Sequence, residues 1–491
     1  MQISRRNLLI AGGLVPLAAA CGSPTTSTTT STSSGATTLN PLWIPPAVNG
    51  PNFDLELAPS TATLLDGKKV STIAYNGESM WGPTLIMNNG DDVAVNVTNR
   101  LTEETTTHWH GVHLPAQMDG GPHQTIAPGA TWSPTWTVKN NAATYWYHPH
   151  AHQLTWKQMN QGAGGFIIVR DDKEAALGLP REYGVDDIPI VLTSRAFTSS
   201  GQIDTTRIYG DYLLANGVMN AELKAPAQMV RLRILNAEIE RAYTLGFDDD
   251  RSFWVVGTDG GLLDAPVERQ RIQVFPGERY EILLDLGGDA VGSSIRMRSY
   301  NSGQNARAYP GAEPDGGGAF SSMLNNRDFD LLRITVVEST SKAVTTVPSQ
   351  LVPTGLWTAS DATNQRTITI NDGVQGRPFY FNDGVYSMDR IDERVQLGTT
   401  EAWRIQNTQI FSHAFHIHDV QFAIVSRSTG PVLDYEKGWK DTLRIVPNET
   451  VTFVAKFDDY ASNDHPFMYH CHMSNHEDEG LMGQFLVVEP A

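Results

Sequence analysis

Hydrophobic and polar residues alternate in short runs along most of the chain, as in DDVAVNVTN at residues 91–99. Alternation with a period of two places the apolar side chains on one face of an extended strand. Val, Ile, Thr and Tyr recur in these runs, and turn-forming Gly and Pro separate them. The pattern predicts an all-β protein built from many short strands.

One succession of turn and strand signals occurs three times. Each copy has an Asn with a nearby Gly, a strand-like run that reaches a second Asn, and a turn opened in most copies by Pro-Gly. The copies are Asn76-Gly77 to Asn99 to Pro128-Gly129, Asn216-Gly217 to Asn236 to Pro276-Gly277, and Asn382-Asp383-Gly384 to Asn407 to Pro447-Asn448. This repetition predicts one β-sandwich unit used three times.

The places where the repeats stop give the domain boundaries. We place the first unit at 51–175, the second at 176–345 and the third at 350–491, with a linker at 339–353. A chain of 491 residues is also too long for one hydrophobic core, and about 150 residues per domain gives three. The Gly-rich segment 301–320 is predicted to be a surface loop of the second unit, either mobile or, as we favour, a simple connection.

Residues 1–20 have the composition of an export signal. The pair Arg5 and Arg6 precedes a short apolar run from Leu8 to Ala20, which is too short to span a bilayer. A twin-arginine signal resembles those of proteins that are exported already folded, often with a cofactor inside. We therefore expect a periplasmic or cell-envelope location.

The segment 21–50 is predicted to be a tether and lead-in. LAAAC resembles a lipoprotein cleavage site, so a membrane tether through lipidated Cys21 and export without a lipid both remain open. The Thr/Ser tract from Thr25 to Thr38 is typical of a flexible linker. With Cys21 in the leader, Cys471 has no partner for an intrachain disulfide.

The charge balance excludes one class of partner. The formal net charge is −18, and it becomes −20 without residues 1–20, which contain two arginines and no acid. Phosphate binding needs a basic stripe, so the chain is not expected to bind nucleic acid. Surplus acid favours solubility and could also attract cationic substrates.

Four short segments hold most of the 14 histidines: HWH (108–110), HPH (148–150), HAFHIH (413–418) and HCHMSNH (470–476). Random placement would give roughly half of one His-x-His pair, whereas the chain has five. No histidine occurs between His152 and His413. We therefore expect a site that joins the first and third units.

Paired histidines on strands are suited to binding metals. Residues i and i+2 of a strand point to the same face, so each pair offers two imidazoles roughly 6–7 Å apart. Four pairs offer eight ligands, and one metal ion uses only three or four. Eight converging imidazoles therefore imply two or three metal ions in one cavity.

Cys471 lies between His470 and His472, so it faces the opposite side of the strand. Its thiolate could bind a separate metal ion there, with His413 and His476, which are left over from the pairs. Two imidazoles and one thiolate form the trigonal set of a blue-copper electron-transfer site.

These segments resemble the copper-binding motifs of the multicopper oxidases, the family of laccases, bilirubin oxidases and bacterial cuprous oxidases. The resemblance runs from about residue 50 to the C-terminus. It implies three consecutive cupredoxin-like Greek-key β-sandwich domains and four copper ions, namely one type 1, one type 2 and a type 3 pair. By these motifs, type 1 copper is held by His413, Cys471 and His476, type 2 copper by His108 and His416, and the type 3 pair by His110, His148, His150, His418, His470 and His472.

The resemblance also implies a mechanism. Type 1 copper takes single electrons from a reducing substrate, and Cys471 with its flanking histidines carries them to the other three coppers, where dioxygen is reduced to water. Asp119 and Glu477 lie where bacterial members of the family place acids that supply protons. Both are predicted to act as a proton relay.

The axial position of type 1 copper departs from many bacterial relatives, which have methionine there. Leu481 stands ten residues after Cys471, with Met482 one place later. Leucine cannot coordinate, and the loss of a thioether ligand favours reduced copper, so a raised potential is expected. The alternative is that a local shift lets Met482 bind, although a period-2 strand would point it the wrong way.

The reducing substrate is predicted to be a phenol, an aromatic amine or a similar one-electron donor, as in laccases. Cuprous oxidases usually add a methionine-rich segment, whereas the 13 methionines here are scattered and 301–320 has none. The stretch QIFS (409–412) also lacks the acid and methionines that those enzymes carry. The alternative within the family is a metallo-oxidase of Cu(I), Fe(II) or Mn(II).

Two other classes fit less well. Some bacterial cupredoxin assemblies keep the fold, lose the coppers and act in cell division, and simple electron transfer would need only the type 1 ligands. Neither explains eight paired histidines. Three units in one chain supply the interface for the site, so a monomer suffices. No role is predicted for four further histidines: His113, His123, His152 and His465.

Overall fold

The computed structural model describes residues 38–372, 379–382 and 384–490. The predicted export signal (1–20), Cys21 and all of the predicted tether except Thr38 lie outside the described residues, so those expectations stay predictions. Within the described ranges the regular secondary structure is almost all β-strand, with three short α-helices. The all-β prediction is therefore confirmed. None of these helices has the length and apolarity needed to cross a membrane.

The first unit is a sandwich of two five-stranded sheets. One sheet has the order β2-β5-β11-β10-β7, and the other has the order β4-β3-β6-β8 with β9 also paired to β6. The elements up to the end of this unit are β1 (Asn40–Pro41), β2 (Ala47–Asn49), β3 (Asn52–Thr63), β4 (Lys69–Tyr75), β5 (Thr84–Asn88), β6 (Asp92–Asn99), β7 (His108–His110), β8 (Thr131–Trp132), β9 (Thr135–Thr137), β10 (Ala143–His148), α1 (Thr155–Asn160), β11 (Gly165–Arg170) and α2 (Asp172–Ala175).

The second unit consists of a seven-stranded and a six-stranded sheet. Their orders are β14-β13-β12-β16-β21-β18-β19 and β1-β15-β23-β22-β17-β20. The strands are β12 (Asp187–Arg195), β13 (Tyr212–Ala215), β14 (Val218–Met219), β15 (Ala221–Pro226), β16 (Met229–Asn236), β17 (Tyr243–Phe247), β18 (Phe253–Thr258), β19 (Gly261–Arg269), β20 (Ile272–Val274), β21 (Arg279–Asp285), β22 (Ser294–Tyr300) and β23 (Asp328–Val337).

The third unit again has two five-stranded sheets, in the orders β25-β24-β27-β31-β29 and β26-β33-β32-β28-β30. Its elements are β24 (Asn364–Asp372), β25 (Phe379–Phe381), β26 (Glu393–Gln396), β27 (Thr399–Asn407), β28 (His413–Ile417), β29 (Phe422–Arg427), β30 (Thr442–Ile445), β31 (Thr450–Phe457), β32 (Phe467–Cys471), α3 (Ser474–Asp478) and β33 (Met482–Val488).

The core of each unit lies between its two sheets, where the apolar faces of the strands meet. In β6 the buried apolar residues are Val93, Val95 and Val97, which alternate with exposed or half-buried positions as the sequence pattern predicts. They share one cluster with Leu85 and Trp109 from the facing sheet. Burial of these faces is the main force that holds the sandwich together.

Three connecting segments are more ordered than the sequence indicates. The lead-in forms β1, which pairs with β15 of the second unit, and β2, which pairs with β5. The linker 339–353 contains no strand, but Leu351 is buried and its N–H donates to the Asp264 carbonyl at 2.8 Å. The segment 301–320 is irregular, yet Tyr309 and Ala312 are buried, so it is not wholly a surface loop as predicted.

Candidate metal centre

Neighbouring strands bring the paired histidines together. In the first unit β7 pairs with β10 so that His108 lies opposite His148. In the third unit β28 pairs with β32 so that His416 lies opposite His470. All four side chains are buried, because these strands face the junction of the two units instead of solvent. The hydrogen-bond registers therefore place the motifs side by side.

The eight paired imidazoles converge on one buried cavity between the first and third units. His108 stacks on His418 and His110 stacks on His416, each with 3.8 Å between ring centroids. Across the same junction, His150 Nε2 lies 3.1 Å from His470 Nε2. The structure thus joins first-unit and third-unit histidines in pairs, as the sequence predicts for a site shared by the two ends of the chain.

The donor atoms fit metal ions. Three sets of three residues each hold their donor atoms within 4.8 Å of one another: His108, His110 and His148; His108, His416 and His418; and His150, His418 and His470. Several of the buried ring nitrogens have no hydrogen-bond partner within the described residues, namely Nε2 of His108, His148, His416 and His418 and Nδ1 of His110. A buried ring nitrogen without a hydrogen-bond partner destabilises the fold unless a cation or a water molecule binds it.

The electrostatics of the cavity favour neutral imidazole, which is the form that binds metals. Burial, with repulsion between neighbouring rings, lowers the pKa of seven of the eight: His110, His148, His150, His416, His418, His470 and His472. A cluster of crowded, uncharged nitrogen donors suits copper or zinc much better than calcium or magnesium.

Asp119 holds the outward nitrogens of two rings, and the Glu477 carboxylate lies close to those of two more. Asp119 Oδ2 lies 2.7 Å from His418 Nδ1, and the Asp119 backbone carbonyl lies 2.9 Å from His108 Nδ1. Glu477 contacts Nδ1 of His150 at 3.2 Å and Nδ1 of His470 at 3.3 Å. The two hydrogen bonds of Asp119 fix the orientation of the His108 and His418 rings and leave Nε2 of each for a metal.

Glu477 is a buried acid beside the cavity. Burial, with a smaller contribution from the nearby Asp478 charge, raises the pKa of Glu477 well above its usual range. The side chain is therefore able to carry a proton at neutral pH. Asp119 and Glu477 both touch the cluster, and their relay role stays a prediction.

A second donor group lies on the other side of β32. Cys471 Sγ is 3.6 Å from His413 Nδ1 and 3.5 Å from His476 Nδ1, and all three residues are buried. Burial raises the pKa of the Cys471 thiol to about 12, so a bound metal ion would have to displace its proton. The Phe379 ring packs on both imidazoles, with centroids 4.8 Å from His413 and 4.5 Å from His476.

Leu481 and Met482 lie in different surroundings. Leu481 is fully buried in the same cluster as Cys471, and its carbonyl accepts a hydrogen bond from the Cys471 N–H at 3.1 Å. Met482 lies opposite His470 at the start of β33 and packs in a separate small cluster with Tyr386. This arrangement favours Leu481 over Met482 at the axial position, which stays a prediction.

The four histidines without a predicted role lie outside the donor groups of the described residues. His113 Nδ1 contacts Asp459 at 2.6 Å, and His123 Nε2 contacts Gln484 at 2.8 Å. The His152 ring packs against Tyr386, and His465 lies in an exposed turn, where its N–H donates to the Ser462 hydroxyl. These contacts are typical of structural histidines.

The sequence interpretation missed the part that the second unit plays. That unit contributes no histidine, but its Arg279 reaches the carboxylate of Asp441 next to His110, and its Glu240 lies 3.7 Å from His476 Nε2. A weak signal existed, since the strand-like run ERYEILLD mixes charged residues with Tyr, Ile and Leu. Isolated charges of this kind carry no spacing pattern that assigns them to a metal site.

Comparisons with known proteins agree with this geometry. Three sequence profiles described as multicopper oxidase match residues 56–174, 192–309 and 359–491. The chain is 30% identical over 447 residues to "Multicopper oxidase mco" of Staphylococcus haemolyticus, covering 89% of this chain and 88% of that protein. It is also 32% identical over 499 residues to "Cell division protein FtsP" of Xenorhabdus nematophila, with 100% of both covered.

A solved structure gives the same picture. The laccase-like multi-copper oxidase CueO from the lignin-degrading bacterium Ochrobactrum sp. superimposes with a TM-score of 0.81 at 32% identity. The match covers 91% of this chain and 100% of that one. With three matching profiles, full-length relatives and the predicted three-domain cupredoxin fold, the chain belongs to the multicopper oxidase family.

Proposed function

We propose that this protein is a laccase-type oxidase that couples the one-electron oxidation of phenols, aromatic amines or similar donors to the reduction of dioxygen to water. Family membership supports a copper-dependent oxidoreductase. The observation that carries the finer proposal is the set of buried donors: seven paired imidazoles in groups of close donor atoms, His472 packed against them, and a Cys–His₂ group on the opposite side of the same strand.

Four copper ions would occupy these two places. His413, Cys471 and His476 would hold type 1 copper, His108 and His416 would hold type 2 copper, and the type 3 pair would bind His110, His148, His150, His418, His470 and His472. Copper bound there would supply one-electron acceptance at the first site and four-electron reduction of dioxygen at the second.

The protein itself would supply the electron path and the protons. Cys471 is the direct chain neighbour of His470 and His472, so a few covalent bonds join the two metal sites. Reduction of one dioxygen to two waters consumes four electrons and four protons. Asp119 and Glu477 contact the cluster histidines and would pass protons to the cavity.

The edge of the type 1 group indicates the kind of donor. His413 and Cys471 are 0% exposed, whereas His476 is 6% exposed, so a donor would meet the group at His476. Ile410 and Phe411, just before His413, are exposed at 49% and 39%. Exposed apolar side chains that precede a type 1 ligand in the chain suit an aromatic ring better than a hydrated metal ion.

Glu240 gives this edge a polar group. Its Oε2 lies 3.7 Å from His476 Nε2 and accepts a hydrogen bond from Asn475 at 2.8 Å. A carboxyl group here could accept the O–H of a phenol or the N–H of an aromatic amine as the electron leaves. The similar Ochrobactrum enzyme has oxidase activity towards lignin model compounds, which supports the same donor class.

The alternatives are a metallo-oxidase and a cell-division protein. Glu240 and nearby Glu313 share the Tyr209 hydroxyl, and two acids could also attract a metal cation. The full-length similarity to FtsP makes a role in cell division the second alternative. A protein with that role alone would not need a complete set of ten buried histidines and a cysteine at two donor groups.

The remaining proposals concern location and assembly. We propose twin-arginine export to the periplasm or cell envelope, with a lipid on Cys21 as an open alternative, and action as a monomer on dioxygen and a small reductant. The motif that supports export is the Arg5-Arg6 pair before a short apolar run.

Kinetics with copper-loaded protein test the proposed donor class. Initial rates are measured with a phenol, an aromatic amine, Cu(I), Fe(II) and Mn(II), with Cys471→Ser as the matched control that removes the thiolate. We expect saturable oxidation of the organic donors that the control abolishes. Saturation by a metal ion alone, at low concentration, would replace the laccase proposal with the metallo-oxidase.

A further inference from the structure

We propose that the second unit positions the oxygen-reducing copper cluster through an Arg279–Asp441 pair that orients His110 and His416. This inference rests on the proposed function, because it assigns a positioning role toward the copper cluster. The second unit contains no histidine, so its part is not visible in the motifs. The geometry nevertheless places Arg279 in contact with Asp441, and Asp441 in turn contacts two proposed ligands.

Asp441 and its neighbour hold two rings in place. Asp441 Oδ1 lies 3.1 Å from His110 Nε2, and the Asp441 backbone carbonyl lies 2.8 Å from His416 Nδ1. The Thr442 hydroxyl is within 3.3 Å of both rings. His110 and His416 are thereby held in a stack with 3.8 Å between centroids.

These contacts also set which nitrogen is available. A carboxylate and a carbonyl only accept hydrogen bonds, so the protons of the two rings lie on His110 Nε2 and His416 Nδ1. The remaining nitrogens, His110 Nδ1 and His416 Nε2, are buried and have no hydrogen-bond partner within the described residues. Both are thus left as lone-pair donors toward the cavity.

Arg279 holds the Asp441 carboxylate at both oxygens. Its Nη1 lies 2.7 Å from Oδ1 and its Nη2 lies 2.6 Å from Oδ2, and both side chains are 0% exposed. Paired, bidentate contacts of this kind are strong and fix direction as well as distance. Donor atoms of His110, His416 and Asp441 also lie within 4.8 Å of one another. Asp441 Oδ1 already meets Arg279, His110 and the Thr442 hydroxyl, so we assign Asp441 a positioning role and not that of a ligand.

Arg279 is itself fixed by all three units. Its Nε donates to the Thr144 carbonyl of β10, the strand that ends at His148, at 3.0 Å. In the second unit, Asp259 accepts the Arg279 backbone N–H at 2.8 Å. The same carboxylate accepts the backbone N–H groups of Asp441 and Thr442, each at 3.2 Å. One guanidinium therefore ties the first-unit ligand strand β10, and Asp441 of the third unit, to the second unit.

Two glycines allow this close approach. Gly111 follows His110 with φ +82°, and a Cβ there would lie 2.4 Å from Asp441 Oδ2 and 3.0 Å from Arg279 Nη2. Gly277 of the second unit has φ +85°, and a Cβ there would lie 2.7 Å from Cγ of His472. Glycine is required at both places by the backbone conformation and by the space available.

The test uses two conservative variants and one control in the full chain. In Asp441→Asn, either orientation of the amide points its NH₂ at a guanidinium nitrogen, and one orientation also pushes the His110 proton to Nδ1. In Arg279→Lys, one ammonium cannot hold both oxygens. The control is Arg233→Lys, which breaks an equally buried bidentate pair with Asp187 in the second unit. Arg233 also donates to the Thr144 hydroxyl of β10 at 2.9 Å, but its hydrogen-bond partners within the described residues include no proposed ligand and no residue that orients one.

Copper retention is measured against a chelator, together with the blue visible band of the type 1 site, the electron paramagnetic resonance signal of type 2 copper and the unfolding midpoint. We expect both site variants to keep the blue band while the cluster copper dissociates roughly 10- to 100-fold more readily, as for other residues that orient ligands. The control should keep both the blue band and the cluster copper. If Asp441→Asn does not fold, Arg279→Lys gives the answer.

Three results would overturn the inference. The first is wild-type retention of cluster copper in both site variants, and the second is an equal loss in Arg233→Lys. The third is wild-type protein that binds no cluster copper at all, which would overturn the proposed function as well. The first two leave the proposed function standing, so the two failures are distinguishable.

Discussion

An ion cluster at the junction of the first and second units should determine how far the stability of this protein falls at low pH. Glu174 accepts from Arg231 at 2.6 Å, from Arg170 at 3.0 Å and from Arg181 at 2.8 Å. Asp187 is bound by Arg170 at 2.6 Å in the same cluster. Burial alone would raise the pKa of Glu174, but the charges of Arg231 and Arg170 outweigh it and lower the pKa to about 2.

The shift gives the magnitude and the direction. A folded-state pKa below the unfolded value of 4.5 stabilises the protein above pH 4.5, and this contribution is lost as the pH falls toward about 2. At about 1.4 kcal/mol per pH unit, the contribution is about 3 kcal/mol. Glu174 is 1% exposed, so solvent screening does not reduce it. The pKa of Asp187 is also held well below its usual range, which adds to the loss.

The perturbation is Glu174→Gln, and the assay is urea unfolding followed by tryptophan fluorescence from pH 7 to pH 3. We expect the variant to be about 3 kcal/mol less stable at pH 7 and the difference to shrink steadily below pH 4.5, because protonated Glu and Gln are alike. The control is Glu222→Gln, a half-buried acid 3.9 Å from Arg333, which should cost less than about 1 kcal/mol. A difference that stays constant with pH, or that matches the control, would refute the reasoning.

Three further predictions concern the metal sites. Leu481→Met should lower the type 1 potential by offering a thioether, as measured by redox titration of the blue band; an unchanged or higher potential would contradict the axial assignment. Glu477→Gln should slow oxygen-driven reoxidation by about 10²- to 10⁴-fold while anaerobic bleaching of the blue band by the donor keeps its rate; equal slowing of both steps would argue against proton supply. Glu240→Gln should lower kcat/KM for phenols roughly tenfold but spare a donor without O–H or N–H; an equal loss for both would remove the proposed contact.

Much of the fold follows from the sequence because strands and turns are local signals. The alternation in DDVAVNVTN becomes β6, with Val95 buried and Asn96 exposed. The repeated Asn-Gly and Pro-Gly signals mark three sandwiches. By contrast, every residue of β12 (Asp187–Arg195) is buried, because neighbouring parts of the chain cover both of its faces. No period-2 pattern could reveal that strand.

The histidines of the site were predictable and their supports were not. His-x-His spacing is a property of one strand. Because alternate residues of a strand point to opposite faces, the segment His470-Cys471-His472 places metal-binding side chains on both faces. Arg279, Asp441 and Glu240 reach the site by tertiary packing across units, and the relevant pairs are far apart in the chain. Nothing in their local sequence fixes which partner each will meet.

The measurement that tests the central claim most directly is oxygen uptake by copper-loaded protein with a phenolic donor, recorded together with its visible spectrum. The account predicts a blue band that the donor bleaches, and about one dioxygen consumed for every four donor molecules oxidised by one electron. In Cys471→Ser both the band and donor-driven uptake should disappear. A blue band without oxygen consumption would leave only an electron-transfer protein, and the absence of both would contradict the assignment of these histidines and Cys471 to copper.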